Sequence, residues 1–253
     1  MSRTALILAG VVLLALQGLS AAQDPHLIAV DSSRALYEID PATGVKTQIG
    51  TVNAEAGTCG GLAVGAGNTV YLTSTSNDAL YTLDVATATA TLVGPYGNSA
   101  IVMHGLEYVP TTDTLYGVSS HNNGLYEINK TTGAATLIGT SGLSSFTNLG
   151  WNSATEVMYA TNSGADSFYL MNLATGATTL IGTLNGPTNP NGVAWDALTG
   201  TMYIVDNSTD ALYTVDLGTG AATLVGSTGT GNLLGLAWLD GPIPVELQSF
   251  SIE

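Results

Sequence analysis

One pattern constrains this chain more than any other: a bulky apolar residue followed by tyrosine returns five times. Leu36-Tyr37, Leu80-Tyr81, Leu125-Tyr126, Phe168-Tyr169 and Leu212-Tyr213 set their tyrosines 44, 45, 43 and 44 residues apart. A second marker keeps the same steps: Ile49-Gly50, Val93-Gly94, Ile138-Gly139, Ile181-Gly182 and Val225-Gly226. Two independent markers in one phase define an internal repeat, and a period between about 20 and 50 residues means a solenoid or a propeller.

Each repeat divides into four short segments rich in Val, Ile, Thr and Tyr and bounded by turn residues, with no helical period after the first residues; this predicts an all-β fold. Segment A ends on a bulky residue, Val64, Tyr108, Trp151, Trp195 or Trp238. Segment B holds Val70-Tyr71, Leu115-Tyr116, Met158-Tyr159 and Met202-Tyr203, with Leu27-Ile28 in the first repeat. Segment C is the tyrosine marker and segment D the glycine marker. Between C and D lies a turn such as Asp40-Pro41-Ala42-Thr43-Gly44, opened by Asp or Asn and closed by Gly at positive φ. The second repeat ends this turn on Ala88, so a slightly different turn is expected there. Four strands per repeat is the count of a propeller blade.

The ends predict a closed ring. The first repeat lacks a segment A, and a surplus one, Leu234-Gly235-Leu236-Ala237-Trp238, follows the fifth. The expected fold is therefore a five-bladed β-propeller with four antiparallel strands per blade, closed by a C-terminal strand A that completes the N-terminal blade. Such closure removes the open edges that invite aggregation. The repeats resemble those of secreted bacterial propellers with a Leu-Tyr-x-Ile-Asp-x-x-Thr-Gly-x-x-Thr-x-Ile-Gly pattern, carried best by Leu36 to Gly50 and Leu125 to Gly139. The resemblance spans residues 26–240 and implies a fold rather than an activity.

Met1-Ser2-Arg3, the apolar run Ala5 to Leu16 and the small residues Ser20-Ala21-Ala22 read as a signal peptide over residues 1–22, cleaved after Ala22. The run is shorter than the ~20 residues a membrane-spanning helix needs. The propeller is expected over 23–241 and a tail or linker over 242–253; Pro242 to Phe250 resembles the junction before C-terminal sorting modules of secreted bacterial proteins. The protein is expected to be exported, extracellular or periplasmic, without membrane insertion, and monomeric unless it assembles. Beyond Arg3, three basic residues stand against 19 acidic ones, a net charge of −16. Nucleic-acid binding needs clustered Lys and Arg, so that class is excluded. The lone Cys59 cannot form an internal disulfide and is expected to be a small residue tucked into a loop.

No nucleophile elbow, P-loop, dinucleotide fingerprint or zinc-protease helix is present, so no catalytic residue is assigned. Glu107 is the one carboxylate at its inner-strand position, against Ala63, Gly150, Ala194 and Ala237, and a glycosidase needs a pair. His104 and His121 should share the face carrying the D–A and B–C loops, as a metal site lacking a third ligand or as unrelated loop residues. Acids crowd the B–C loops, densest at Asp206, Asn207 and Asp210; these suit Ca²⁺ weakly, or serve as turn residues that cap their own backbone. No other cofactor is expected. The repeat tyrosines should be inter-blade core.

The D–A loops differ most between repeats, and variable loops on a rigid ring are where binding concentrates. Tyr96, His104, Asn148, Asn189 and Asn191 are the candidate ligand contacts, with Tyr96 expected to be exposed. Their amides and rings suit neutral polar ligands. The expected function is a non-catalytic extracellular interaction module binding a protein or glycan through this face. The alternatives are an extracellular hydrolase or lactonase at the channel mouth, and a self-assembling structural protein.

Overall fold

A computed structural model describes residues 26–240. The expected leader at 1–22 and tail at 242–253 lie outside the described residues. The strands follow the repeat. Blade I begins with β1 (His26–Asp31), β2 (Ala35–Ile39) and β3 (Lys46–Thr51). Blade II holds β4 (Cys59–Val64), β5 (Val70–Ser74), β6 (Ala79–Asp84) and β7 (Thr89–Pro95). Blade III holds β8 (Met103–Val109), β9 (Thr114–Ser119), β10 (Gly124–Ile128) and β11 (Ala135–Thr140). Blade IV holds β12 (Phe146–Asn152), β13 (Val157–Asn162), β14 (Ser167–Met171) and β15 (Thr178–Thr183). Blade V holds β16 (Pro190–Asp196), β17 (Thr201–Asp206), β18 (Ala211–Val215) and β19 (Ala222–Ser227), and β20 (Leu233–Leu239) ends the described chain.

These strands form five antiparallel sheets of four, and β20 pairs with β1 to complete blade I. Leu27 stands opposite Trp238, as the surplus segment A requires. The five-bladed propeller is thus closed by its first and last described strands. Strands β4, β8, β12, β16 and β20 pack against one another around the axis.

The two sequence markers have distinct physical roles. Tyr81, Tyr126, Tyr169 and Tyr213 are buried, and Tyr126 accepts a hydrogen bond from Asn122 of the adjoining B–C loop at 2.6 Å. Tyr37 departs from this expectation: it is half-buried, with the Lys46 ammonium 4.7 Å above its ring. The glycine marker is a β-bulge. In each blade the ladder slips at the same place, leaving Ile49, Val93, Ile138, Ile181 and Val225 unpaired between residues that pair with strand C.

The glycine after each bulge meets the C–D turn of the next blade. A Cβ added at Gly94, Gly139, Gly182 or Gly226 would lie 2.0–2.1 Å from the carbonyl oxygen of Thr132, Thr175, Thr219 or Thr43. The fifth seam sets Gly50 against the Cβ of Ala88 at 2.9 Å. Ala88 keeps the left-handed backbone, φ 53°, where its glycine counterparts lie at 71–76°. The expected change in this turn is therefore a modest shift within one conformation. Cys59 is fully buried at the start of β4 rather than in a loop, and burial pushes its thiol up to about 12.

Candidate functional site

The inner strands shape a channel whose two mouths differ in chemistry. At the mouth bearing the D–A and B–C loops is a cavity of about 540 Å³. Blade III contributes His104, Ser120 and His121, blade IV Thr147 and Ser163, blade V Asn189, Asn191 and Asn207, and blade I Asn232. All these side chains can donate or accept hydrogen bonds, and none is an acid or a permanent cation.

The loops hold the groups in place. His104 Nδ1 shares a hydrogen bond of 2.8 Å with the Ser120 hydroxyl. Burial lowers the His104 pKa against an opposing backbone hydrogen bond at Val102, and His121 adds to the lowering. The ring is therefore neutral at pH 7. Asn191 is buried and donates to the carbonyl of Asn189 at 2.9 Å. Asn207 donates to Asn232 at 2.7 Å, joining blade V to the D–A loop that leads into β20.

Of the expected contacts, His104, Asn189 and Asn191 converge here. Tyr96 does not. It is 2% exposed and packs in a cluster with Leu80, Ile101, Met103 and Leu106. This long D–A loop needs an apolar plug of its own, and Tyr96 with Ile101 supplies it; the Tyr96 hydroxyl has no partner. Asn148 is not a loop residue either. It sits inside β12, fully buried, at the register position held elsewhere by Gly61, Gly105, Gly192 and Gly235. There a Cβ at Gly105 would fall 2.6 Å from Asn148 Cα, so the strands nearly touch. The Asn148 side chain extends to donate to the carbonyl of Leu234 on β20 at 3.2 Å. This layer lines neither cavity and separates the two.

The acid-rich B–C loops are explained by turn chemistry. The residue before strand C has positive φ in every blade: Arg34, Asp78, Asn123, Asp166 and Asp210, at 47–77°. Asp and Asn tolerate that region better than most residues. Asp206 Oδ1 accepts from the amides of Ser208 and Thr209 at 3.1 and 2.8 Å, while Oδ2 accepts from the Asn189 amide at 2.6 Å. The carboxylate of Asp206 thus organises the loop that shapes the cavity wall, and Asn207 and Asp210 flank it. Among the described residues no three of His, Cys, Asp and Glu gather in an arrangement that would hold a metal ion.

At the opposite mouth the sequence offered only Glu107, an inner-strand carboxylate without a pair. It holds a cavity of about 250 Å³ lined by Glu107, Tyr108, Trp151, Trp195, Trp238 and the backbone of the A–B loops. Glu107 Oε1 accepts from the Tyr108 amide at 2.8 Å, and Oε2 from the Trp151 amide on the next blade at 3.0 Å. Despite these two donors, burial pushes its carboxyl up to about 8. The signal available in sequence was the one acidic residue at a position otherwise held by Ala or Gly.

A sequence profile described as a repeat of unknown function (DUF6923) matches residues 110–232. No curated protein matches the chain. Among solved structures, a chain of a nidogen/laminin complex is 12% identical with a TM-score of 0.61, over 86% of this chain and all of that one. A structural genomics protein of unknown function from Bacteroides thetaiotaomicron VPI-5482 is 18% identical with a TM-score of 0.61, over 88% of this chain and 66% of its own length. Virginiamycin B lyase from Staphylococcus aureus is 12% identical with a TM-score of 0.52, over 81% and 70%. At such identities the likeness concerns the fold, and with the repeat match it marks the chain as a repeat β-propeller protein.

Proposed function

We propose that the protein is an extracellular, non-catalytic interaction module that holds a neutral glycan at the mouth carrying the D–A and B–C loops. One observation carries the reading: amides, hydroxyls and imidazoles from four blades line a single cavity of about 540 Å³, with no Asp, Glu, Lys or Arg among them. Sugars are recognised by such convergent donors and acceptors, and a rigid ring keeps them in position at little entropic cost. The extracellular part rests on the leader-like residues 1–22.

A glycan-array screen of the purified propeller tests the reading, followed by calorimetry on any hit. Replacing His104, Asn189 and Asn191 together with Ala should lower affinity at least about tenfold, since each lost polar partner contributes about 0.5–1.5 kcal/mol. His104 should favour its neutral, ligand-competent form, because burial lowers its pKa. A folded triple mutant that binds unchanged moves the site elsewhere. An array with no hit overturns the glycan class. The exported protein should begin at Gln23, which intact mass reads directly.

A further inference from the structure

We propose that the opposite mouth of the channel is a second binding site, for a small organic cation such as a protonated primary amine, held by Glu107 within a surround of Tyr108, Trp151, Trp195 and Trp238. The inference is independent of the glycan reading, which concerns the other face.

The repeat does not demand an acid here. At the same position three blades use Ala and one uses Gly, so the strand needs no acid. Each Glu107 oxygen receives one backbone amide, which leaves lone pairs free for a ligand. A carboxylate shielded from water normally has a cationic partner, and the half-buried Glu107 has none among the described residues. Arg34 is engaged with the carbonyl of Val52, Lys46 with those of Gly229 and Thr230, and Lys130 with Asp113. Among the described residues no basic side chain lines the cavity.

The surroundings fit a cation with an apolar body. Trp is the best aromatic partner for an ammonium group, followed by Tyr. All three tryptophans of the protein line this one cavity. About 250 Å³ is ample for a short alkyl chain and an amine. Net charge of −15 adds a long-range field that attracts cations.

Proton linkage gives the site a signature. The titratable groups on the strands packed against β8 are Cys59 on β4, Tyr71 on β5 and Tyr116 on β9, with His104 and Tyr108 on β8 itself; β12 and β20 carry none, and Asp240 lies at the rim. Burial holds the Cys59 thiol at about 12 and lowers His104, and the hydrogen bond to Asp113 holds the Tyr108 hydroxyl at about 12, which keeps these three from mimicking Glu107. With the carboxyl near 8, an amine must displace a proton below that pH. Affinity should therefore rise about tenfold per pH unit up to about pH 8, the slope for one released proton.

The test is a tryptophan fluorescence titration with butylammonium, which stays protonated over this range, against the isosteric 1-butanol. Wild type should show saturable quenching by butylammonium that strengthens from pH 6 to 8, and none by butanol. Glu107→Gln should abolish the response. Glu107→Ala, which takes the residue three other blades carry, guards against a folding defect in the first variant. Equal responses to butanol and butylammonium, an unchanged titration in either folded variant, or no saturable binding at pH 8 would overturn the proposal.

Discussion

The outer seams and the central axis of this ring follow opposite rules. At the seams, blade after blade makes one contact: a bulge glycine against the next C–D turn, at a Thr carbonyl in four cases and at the Ala88 methyl in the fifth. At the axis, equivalent positions carry different residues, with His104, Thr147, Asn191 and Leu234 in one layer and Ala63, Glu107, Gly150, Ala194 and Ala237 in another. Repetition marks where geometry leaves one solution. Variety marks where the ring leaves room, and both cavities lie there.

Four experiments test this contrast. Removing β20, by deletion from residue 233 onward, strips blade I of its inner strand and exposes the edge of β1; the protein should lose its cooperative melt and aggregate. A monomer with an unchanged melting point would show that the seams hold the ring without closure. Tyr169 is buried edge-on to Phe146 at 5.3 Å, and Tyr169→Ala should destabilise by ~3–5 kcal/mol in denaturant titration. Tyr37→Ala should cost visibly less, since that ring is half-buried. Gly139→Ala forces a methyl to within 2.0 Å of the Thr175 carbonyl oxygen and should cost about 1–3 kcal/mol. Gly50→Ala meets only the Ala88 methyl and should lose less; equal losses would mean that the seam contact is not what selects glycine. Asn148→Ala removes a single cross-channel hydrogen bond and should cost about 1 kcal/mol, leaving the ring intact.

The ring was legible in sequence because its determinants are local and repeated. Tyrosine every 44 residues or so and the unmatched final strand A are enough to count blades and close them. The bulge was not legible, since Ile-Gly reads equally well as the end of a strand. Its role appears only when the neighbouring turn is in place. At the candidate site, His104, Asn189 and Asn191 were found because position in a D–A loop or at the start of strand A fixes which mouth a residue approaches. Tyr96 misled because a residue without a repeat counterpart reads as surface decoration, yet a longer loop must bury something of its own. Asn148 was mistaken for a loop residue although its alignment with four glycines marks it as inner strand. The charge state of Glu107 could not be read at all, because it depends on what surrounds the carboxyl.

The pairing of β1 with β20 has a mechanical meaning. His26 stands opposite Leu239, so the start of the first described strand and the end of the last lie side by side at one end of the ladder. A pull on those two ends does not shear the strands past one another. It peels them apart, and each hydrogen bond bears the load in turn instead of sharing it with the rest. A ring held together by many buried contacts should therefore still open at low force, at this one zipper, while blades II to V remain folded.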